Sequence, residues 1–488
     1  MGDGMTPRGR GVRALAASVA VASLAACNFA PPYTKPTLPT PPPTAYKEMG
    51  PWTPAVPADD APRNQWWLVY SDKTLNDLET KLLASNPDLA AALHRYDQAS
   101  ALERQAAAAQ YPQIGSQASA TANKESANRP LRLPGGNSNY ADNIVGGTAS
   151  YELDLWGRVR NLVAAGKAEA QASKADIGTT RLMLQAELAD DYLNLRGLDA
   201  QVRVLERTVA DYQKALDLTQ ERFSGGADPA LDVDEAQTQL ETAQAQLADF
   251  KAQRALVEHA VATLVGVPAS SFGLSPIDSV PTPPLVPVSA PSVLLQRRPD
   301  VAAAERRVFA ANAQIGVARA AFYPTISLQA GGGFEDAGGV NLLSASNSFW
   351  TIGPALALTV FDGGRRRAKV DEARAVLNQA ADAYKSTVLT AFQEVEDNLA
   401  LCNNLAVEAN REAAAVRSAR AAEELALYQY EQGETDYLNV ITAQNFTLTA
   451  EEAELQVTTR RLQASVDLVR ALGGDWKGPS EPLPKIQS

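Results

Sequence analysis

The chain is 488 residues long with a formal charge of −12 and only two cysteines and two histidines. The acidic balance argues against polyanionic partners such as nucleic acid, and two cysteines cannot build a disulfide scaffold. His94 and His259 have no Cys or acid at metal-ligand spacing, and no nucleophile–base pair or acid dyad stands out. The sequence therefore reads as a non-enzyme with no cofactor and no metal site.

Arg8, Arg10 and Arg13 precede an apolar run from Ala14 to Ala26. That run is too short and too Ala-rich to span a bilayer, so residues 1–26 read as an export signal. It ends Leu24-Ala25-Ala26-Cys27, which resembles the lipobox of bacterial lipoproteins. The resemblance implies that Cys27 becomes the lipid-bearing N-terminus, and Asn28 in place of Asp favours the outer membrane. Residues 27–62 hold eleven prolines between Pro31 and Pro62, which predicts an extended linker rather than a packed element. No later segment has 18 consecutive apolar residues, so any insertion must use β-strands.

The body is a tandem repeat, residues 63–274 and 298–474, separated by a Pro-rich interval 275–297 and followed by a tail 475–488. Asn86-Pro87-Asp88 and Arg298-Pro299-Asp300 each open a helical run, Pro and Asp in the first turn being a helix-start signature. Each run ends at Tyr111-Pro112 or Tyr323-Pro324. Period-two alternation then predicts strands at 113–122, 144–155, 325–334 and 350–361, with Gly- and Asn-rich loops at 123–147 and 331–347. Gly331-Gly332-Gly333 lacks the Lys-Ser/Thr of a phosphate loop and is placed in such a loop. Pro354 inside the last strand reads as a bulge. Four strands cannot close a barrel in lipid. Two chains would give eight and three would give twelve with room for a pore, so the arithmetic favours a trimer.

Two 67-residue helical runs, 157–223 and 364–430, follow the strands. At 1.5 Å per residue each reaches roughly 100 Å. Apolar positions step 4-3-4-3 through Leu184, Leu188, Leu195, Leu198, Leu205, Tyr212, Leu216 and Phe223, a coiled-coil seam. Cys402 falls in step with Val388, Val395 and Leu399 and reads as packing. The runs end in hairpin tips at 222–235 and 429–442, related by a shift of 207 that sets Gly226 on Gly433, Leu231 on Leu438 and Val233 on Val440.

In the order and spacing of its motifs the chain resembles the TolC-like outer-membrane efflux proteins of the NodT/OprM lipoprotein branch. The resemblance rests on Gln65-Trp66-Trp67, Arg298-Pro299-Asp300-Val301, Ile315-Gly316-Val317-Ala318, Phe361-Asp362-Gly363-Gly364-Arg365 and the two tips. It implies a mainly α protein with transmembrane β: a long coiled-coil α-barrel, plus four strands per chain completing a twelve-stranded β-barrel in a homotrimer. A mixed girdle would use residues 63–84, with Trp66 and Trp67 packed in it, the interval 275–297 and the tail. The implied function is a passive exit duct for drugs or other toxic small molecules. An inner-membrane pump of RND type and a periplasmic adaptor, the membrane fusion protein, would be its partners. A dedicated cargo such as metal ions or secreted metabolites is the alternative.

The resemblance also places an apolar constriction ring on Leu438. The two positions where carboxylates are expected after it hold Asn439 and Thr442, a departure from the family pattern. The equivalent positions of the first tip hold Asp232 and Glu235, with Asp228 and Asp234 nearby, which suggests that the first tip supplies the acidic ring. Those acids would equally complement a helix N-terminus. Arg222, Gly225, Gly226 and Gly433 are the candidates for adaptor docking, and each glycine also serves as a plain turn residue.

Overall fold

The computed structural model describes residues 28–38, 41, 43–49, 65–126, 138–277, 280–284, 297–338 and 341–474. Cys27 lies outside the described residues, as do the leader, the predicted tail 475–488 and most of the interval 275–297. Helices α1 (Lys73–Ser85), α2 (Pro87–Ala108), α3 (Arg158–Ser224), α4 (Ala230–Leu264), α5 (Pro299–Ala320), α6 (Arg365–Glu431) and α7 (Tyr437–Ala471) carry most of the chain. The bounds of α6 and α7 lie 207 residues after those of α3 and α4. No helix among the described residues is long and apolar enough to cross a membrane.

The chain divides into two compact units. The first takes residues up to 36, 96–173 and 304–384. In it β1 (Gln113–Lys124), β2 (Asn139–Glu152), β3 (Thr325–Asp336) and β4 (Ser348–Ala357) form one antiparallel sheet in sequence order. Each repeat supplies one hairpin, and the β2–β3 ladder joins the two from Asn143↔Asp336 to Glu152↔Ser327. The outer edges of β1 and β4 have no partner strand among the described residues.

The strands depart from their predicted bounds. β2 starts at Asn139 rather than 144 and stops at Glu152, because Gly146 and Gly147 sit inside the ladder instead of in the preceding loop. The segment 331–347 likewise begins as strand: Gly331, Gly332 and Gly333 pair with Thr148, Gly147 and Gly146. Without side chains on either strand, their backbones approach closely; a Cβ on Gly333 would lie 2.6 Å from the Gly146 Cα. β4 stops at Ala357 although the alternation runs on to Phe361. Past it, the Asp362 carboxylate turns to accept from the Gly364 and Arg366 amides at 3.1 Å each, which starts α6. Pro354 makes no bulge: it sits opposite Leu328 in a register unbroken from Thr325↔Ala357 to Phe334↔Ser348. The proline has no N–H to give to a ladder, and the β3–β4 register absorbs it without a break.

Residues 28–38 of the proline-rich segment after Cys27 form neither helix nor strand, as their composition dictates, but they are packed rather than free. Phe29 stacks on Tyr323 with ring centroids 4.4 Å apart, and Trp156 completes the cluster, 5.0 Å from Tyr323 and 6.3 Å from Phe29. Asn161 donates to the Asn28 side-chain oxygen at 2.8 Å, and Asn312 donates to the Pro31 carbonyl at 2.8 Å. Further along, Tyr33 meets Phe309 edge-on and Lys35 pairs with Glu305 at 2.9 Å. The strap thus descends α5 one turn at a time. Side-chain donors satisfy its carbonyls, since prolines leave it few amides of its own.

The second unit takes residues 37–95, 174–303 and 385 onward. Trp66, Trp67 and Tyr70 are buried, and the Tyr70 hydroxyl bonds Ser465 at 2.7 Å. The Asp72 side chain caps α1 by accepting from the Thr74 and Leu75 amides. The two repeats close their return helices in parallel fashion with different chemistry. Asn86 donates to the Leu264 carbonyl at 2.8 Å, and 212 residues later Arg298 donates to the Ala471 carbonyl at 3.1 Å. Arg298 is held in turn by Asp300 and Glu394. Arg196 and Arg254 share the buried Asp199 and grip the Ser275 and Leu274 carbonyls, tying down the chain as it leaves the first repeat. The seam residues Leu184, Leu188, Leu195, Leu198, Leu205, Tyr212 and Leu216 are all buried. Phe223, the last position predicted on that seam, is 47% exposed. Cys402 is half-buried against Leu405, Val457 and Ala464.

One carboxylate in this unit makes stability pH-dependent. Burial pushes the Asp190 carboxyl up to about 8, with Asp467 beside it adding to the shift. One of its oxygens is buried without a hydrogen-bond partner. Its charged neighbours are Asp467 and Arg470 on α7 and Glu187 and Asp191 on α3. A carboxyl raised on folding favours the folded state while both states are protonated, below its ordinary value near 4. That contribution is lost as pH rises through about 8. Asp190→Asn is therefore expected to leave thermal stability unchanged at pH 4 and to raise it at pH 8 by roughly 2–3 kcal/mol. Melting curves at the two pH values read this directly, and an equal effect at both would refute it.

Candidate functional site

The site is built from the two hairpin turns, both in the second unit. α3 ends with the Gly226 amide donating to the Phe223 carbonyl at 2.9 Å and the Ala227 amide reaching the Arg222 carbonyl at 2.9 Å. α6 ends the same way, with Gly433 on Tyr430 at 3.0 Å and Glu434 on Gln429 at 2.8 Å. This helix stop needs a residue in the left-handed region, and Gly226 and Gly433 have φ of +77° and +73°. Pro229 and Asp436 then begin α4 and α7. Beneath the turns all four long helices meet around Tyr212, Leu216, Leu240, Tyr430, Tyr437 and Val440.

The turns are alike in backbone and unlike in side chains, and a clasp forms across the difference. Asp228 of the first turn accepts from the Arg222 Nε at 2.9 Å and from the Tyr430 hydroxyl at 2.5 Å. Arg222 also donates to the Tyr430 carbonyl at 3.1 Å, and its guanidinium lies 4.6 Å from the centroid of that ring. Thr219 sits within 3.4 Å of the Tyr430 hydroxyl. Burial pushes the Asp228 carboxyl up, but hydrogen bonds from Arg222 and Tyr430 and the nearby guanidinium outweigh it and hold the group below the usual carboxylate range. The Tyr430 hydroxyl is pushed up to about 12, first by burial and then by its bond to Asp228. One first-repeat Arg–Asp pair thus grips one second-repeat tyrosine.

Arg222, expected at a docking surface, uses its Nε and one Nη1 donor within this clasp and keeps its side chain partly exposed. Gly226 and Gly433 face open space, with nothing within 4 Å of where a Cβ would stand. Gly225 precedes Gly226 as the last residue of the helix stop. Leu438 is 62% exposed on the first turn of α7. Asn439 and Thr442, exposed beside it, bond locally to the Thr435 hydroxyl at 2.6 Å and the Leu438 carbonyl at 2.8 Å. Asp232 is crowded with like charge: burial, then Asp228, Glu235 and Asp436, raise its carboxyl above the ordinary value. The structure therefore brings Asp232 and Glu235 together with Asp228 and Asp436 at one end of the unit. Among the described residues no cluster of three or more His, Cys, Asp or Glu could hold a metal ion.

Sequence reading identified the turns but not the clasp. Its signal lies where the repeat breaks. At the shift of 207, Arg222 meets Gln429, Phe223 meets Tyr430 and Asp228 meets Thr435. The aromatic position that is exposed in the first copy is buried in the second, where it carries the hydroxyl that Asp228 binds.

The outer membrane efflux protein family matches residues 78–267 and 290–474 of the chain. The chain is 34% identical to outer membrane protein OprJ of Pseudomonas aeruginosa over 93% of its length and 94% of that protein. It is 31% identical to the toluene efflux pump outer membrane protein TtgF of Pseudomonas putida, over 94% of its length and 97% of that protein. Among solved structures, the outer-membrane channel OprN superimposes with a TM-score of 0.81 at 30% identity, covering 90% of this chain and 99% of that one. A match this long, through both repeats and both tips, makes the chain a member of the outer membrane efflux protein family.

Proposed function

We propose that three copies of this chain close their sheets into a twelve-stranded barrel and form the passive outer-membrane exit duct of a tripartite efflux system. The four-stranded antiparallel sheet with both edges open carries this reading, since lipid tolerates no open edge. A periplasmic adaptor meets the tips around Arg222, Gly225, Gly226 and Gly433, and an inner-membrane pump of RND type supplies the energy. The cargo is small organic compounds, which the toluene pump component among the relatives supports. Cys27 carries the acyl chains. Supporting this, the docked strap holds its neighbour Asn28 within the sheet-bearing unit.

At the tips the resting constriction is formed by Leu438 with Asn439 and Thr442, and Asp232 and Glu235 give the entrance its negative charge. Trimers carrying Asp232→Asn and Glu235→Gln are expected to lose cation preference, read as the reversal potential across a planar bilayer under a salt gradient. An unchanged potential would assign these acids to helix capping alone. The function as a whole is tested by deleting the gene and restoring it. Hypersensitivity to several unrelated dyes, antibiotics and solvents, cured by the wild-type chain, is expected. Sensitivity confined to metal salts would instead favour a dedicated metal exporter.

A further inference from the structure

A groove of about 560 Å³ runs between α4 and α7 just behind the tips. Its two walls are the same face of the duplicated helix: Leu231 matches Leu438, Asp234 matches Ile441 and Thr238 matches Asn445 at the shift of 207. Duplication began with equal faces, yet the walls now differ in kind. The α4 wall sets Asp234, Glu235 and Thr238 beside Leu231, while the α7 wall sets Ile441 and Leu448 beside Leu438 and Asn445. Tyr212 and Gln239, only 4% and 9% exposed, form the floor of the groove, with the Tyr212 hydroxyl against the Gln239 side chain.

We propose that this groove is a binding site for amphiphilic organic cations on their way into the duct. Its volume is that of a site for one drug-sized molecule. Two carboxylates on one wall match a positive charge, and the three aliphatic side chains opposite match an apolar ring system. A compact, strongly hydrated metal ion is a poor fit, because it would face leucine and isoleucine on one side in place of ligand atoms. A delocalised organic cation is only weakly hydrated and gives up little in leaving water for such a wall. The inference deepens the small-organic-cargo reading and rests on it for its biological sense, but the binding itself is a property of the purified protein.

The test is ethidium binding to the purified full-length protein in a non-ionic detergent, followed by fluorescence anisotropy, with anionic fluorescein as the comparison dye. Saturable ethidium binding without fluorescein binding is expected. Asp234→Asn should weaken it roughly fivefold, the contribution of one partly solvated charge pair. Thr238→Trp, which fills the groove from an exposed position, should abolish it while Asp232 and Glu235 remain in place. Equal affinity of wild type and both variants, or equal binding of fluorescein, overturns the proposal. So does dissociation of the oligomer by Thr238→Trp, which would make the groove a helix-packing interface. A strain with multidrug hypersensitivity but no ethidium site in the protein sinks only this inference. An ethidium site in a protein whose loss causes no efflux defect sinks the cargo reading instead.

Discussion

Gly333→Val is expected to abolish assembly of the outer-membrane barrel. The β2–β3 ladder joins the hairpins of the two repeats, and at Gly146↔Gly333 and Gly147↔Gly332 it is glycine against glycine. A Cβ on Gly333 would fall onto the Val145 carbonyl oxygen and stand 2.6 Å from the Gly146 Cα and 3.0 Å from the Val145 carbonyl carbon. All three are backbone atoms of the neighbouring strand, so no rotamer change relieves the overlap. Only separating the strands would do so, and that breaks ladder hydrogen bonds in a setting where an unpaired amide or carbonyl finds no water. The overpacking alone costs on the order of 3 kcal/mol, and each lost bond in lipid adds to it. Heat-resistant oligomer on gels and outer-membrane fractionation should both be lost. Gly147→Ala on the facing strand is the control, because its Cβ would meet only the Gly115 carbonyl at an ordinary 3.6 Å. Normal assembly of Gly333→Val would show that the strands have room to part.

What the sequence made legible was whatever the duplication wrote twice. The helix starts at Pro87 and Pro299, the glycine stops at 226 and 433 and the buried seam from Leu184 to Leu216 all follow from local chemistry repeated at a fixed shift. Features that depend on partners far along the chain were not legible. The strap illustrates this: its prolines announce an extended backbone, but nothing local to Phe29 says that its ring lies on Tyr323, almost three hundred residues on. Glycine in a strand misled for a related reason. Gly331, Gly332 and Gly333 look like a loop until the facing Gly146 and Gly147 are known, and only the pair explains why both strands need bare backbone. Pro354 looked like a bulge because register is a property of the sheet and not of the segment. At the tips, symmetry itself hid the answer. Aligning the two turns draws the eye to what matches, whereas the clasp is made of Arg222, Asp228 and Tyr430, none of which has its like in the other copy.

Asp228→Ala combined with Tyr430→Phe is expected to open the tips. The clasp is the one polar cluster described here that joins the first-repeat turn to the second-repeat turn, and Asp228 is shared by both of its donors. It lies in a narrow tip close to solvent, so the Arg222–Asp228 pair is counted at about 1 kcal/mol after screening. The tyrosine hydroxyl bonded to the carboxylate adds about 1 kcal/mol more. Losing about 2 kcal/mol from each protomer favours the open arrangement of that tip about thirtyfold. Removing both groups matters, because Asp228→Ala alone would strand a tyrosine hydroxyl and confuse lost closure with lost folding. Single-channel recording in planar bilayers should show larger and longer openings for the double variant, and cells carrying it should become permeable to antibiotics too large for the resting duct. Acid should imitate the variant only at the extreme. A carboxyl lowered on folding contributes fully above its ordinary value near 4 and loses its contribution as pH falls through the still lower value it has in the clasp. At neutral and mildly acidic pH the wild-type tip should therefore stay shut. A double variant that conducts like wild type would mean that the apolar cluster around Tyr437 and Val440 holds the tips together unaided.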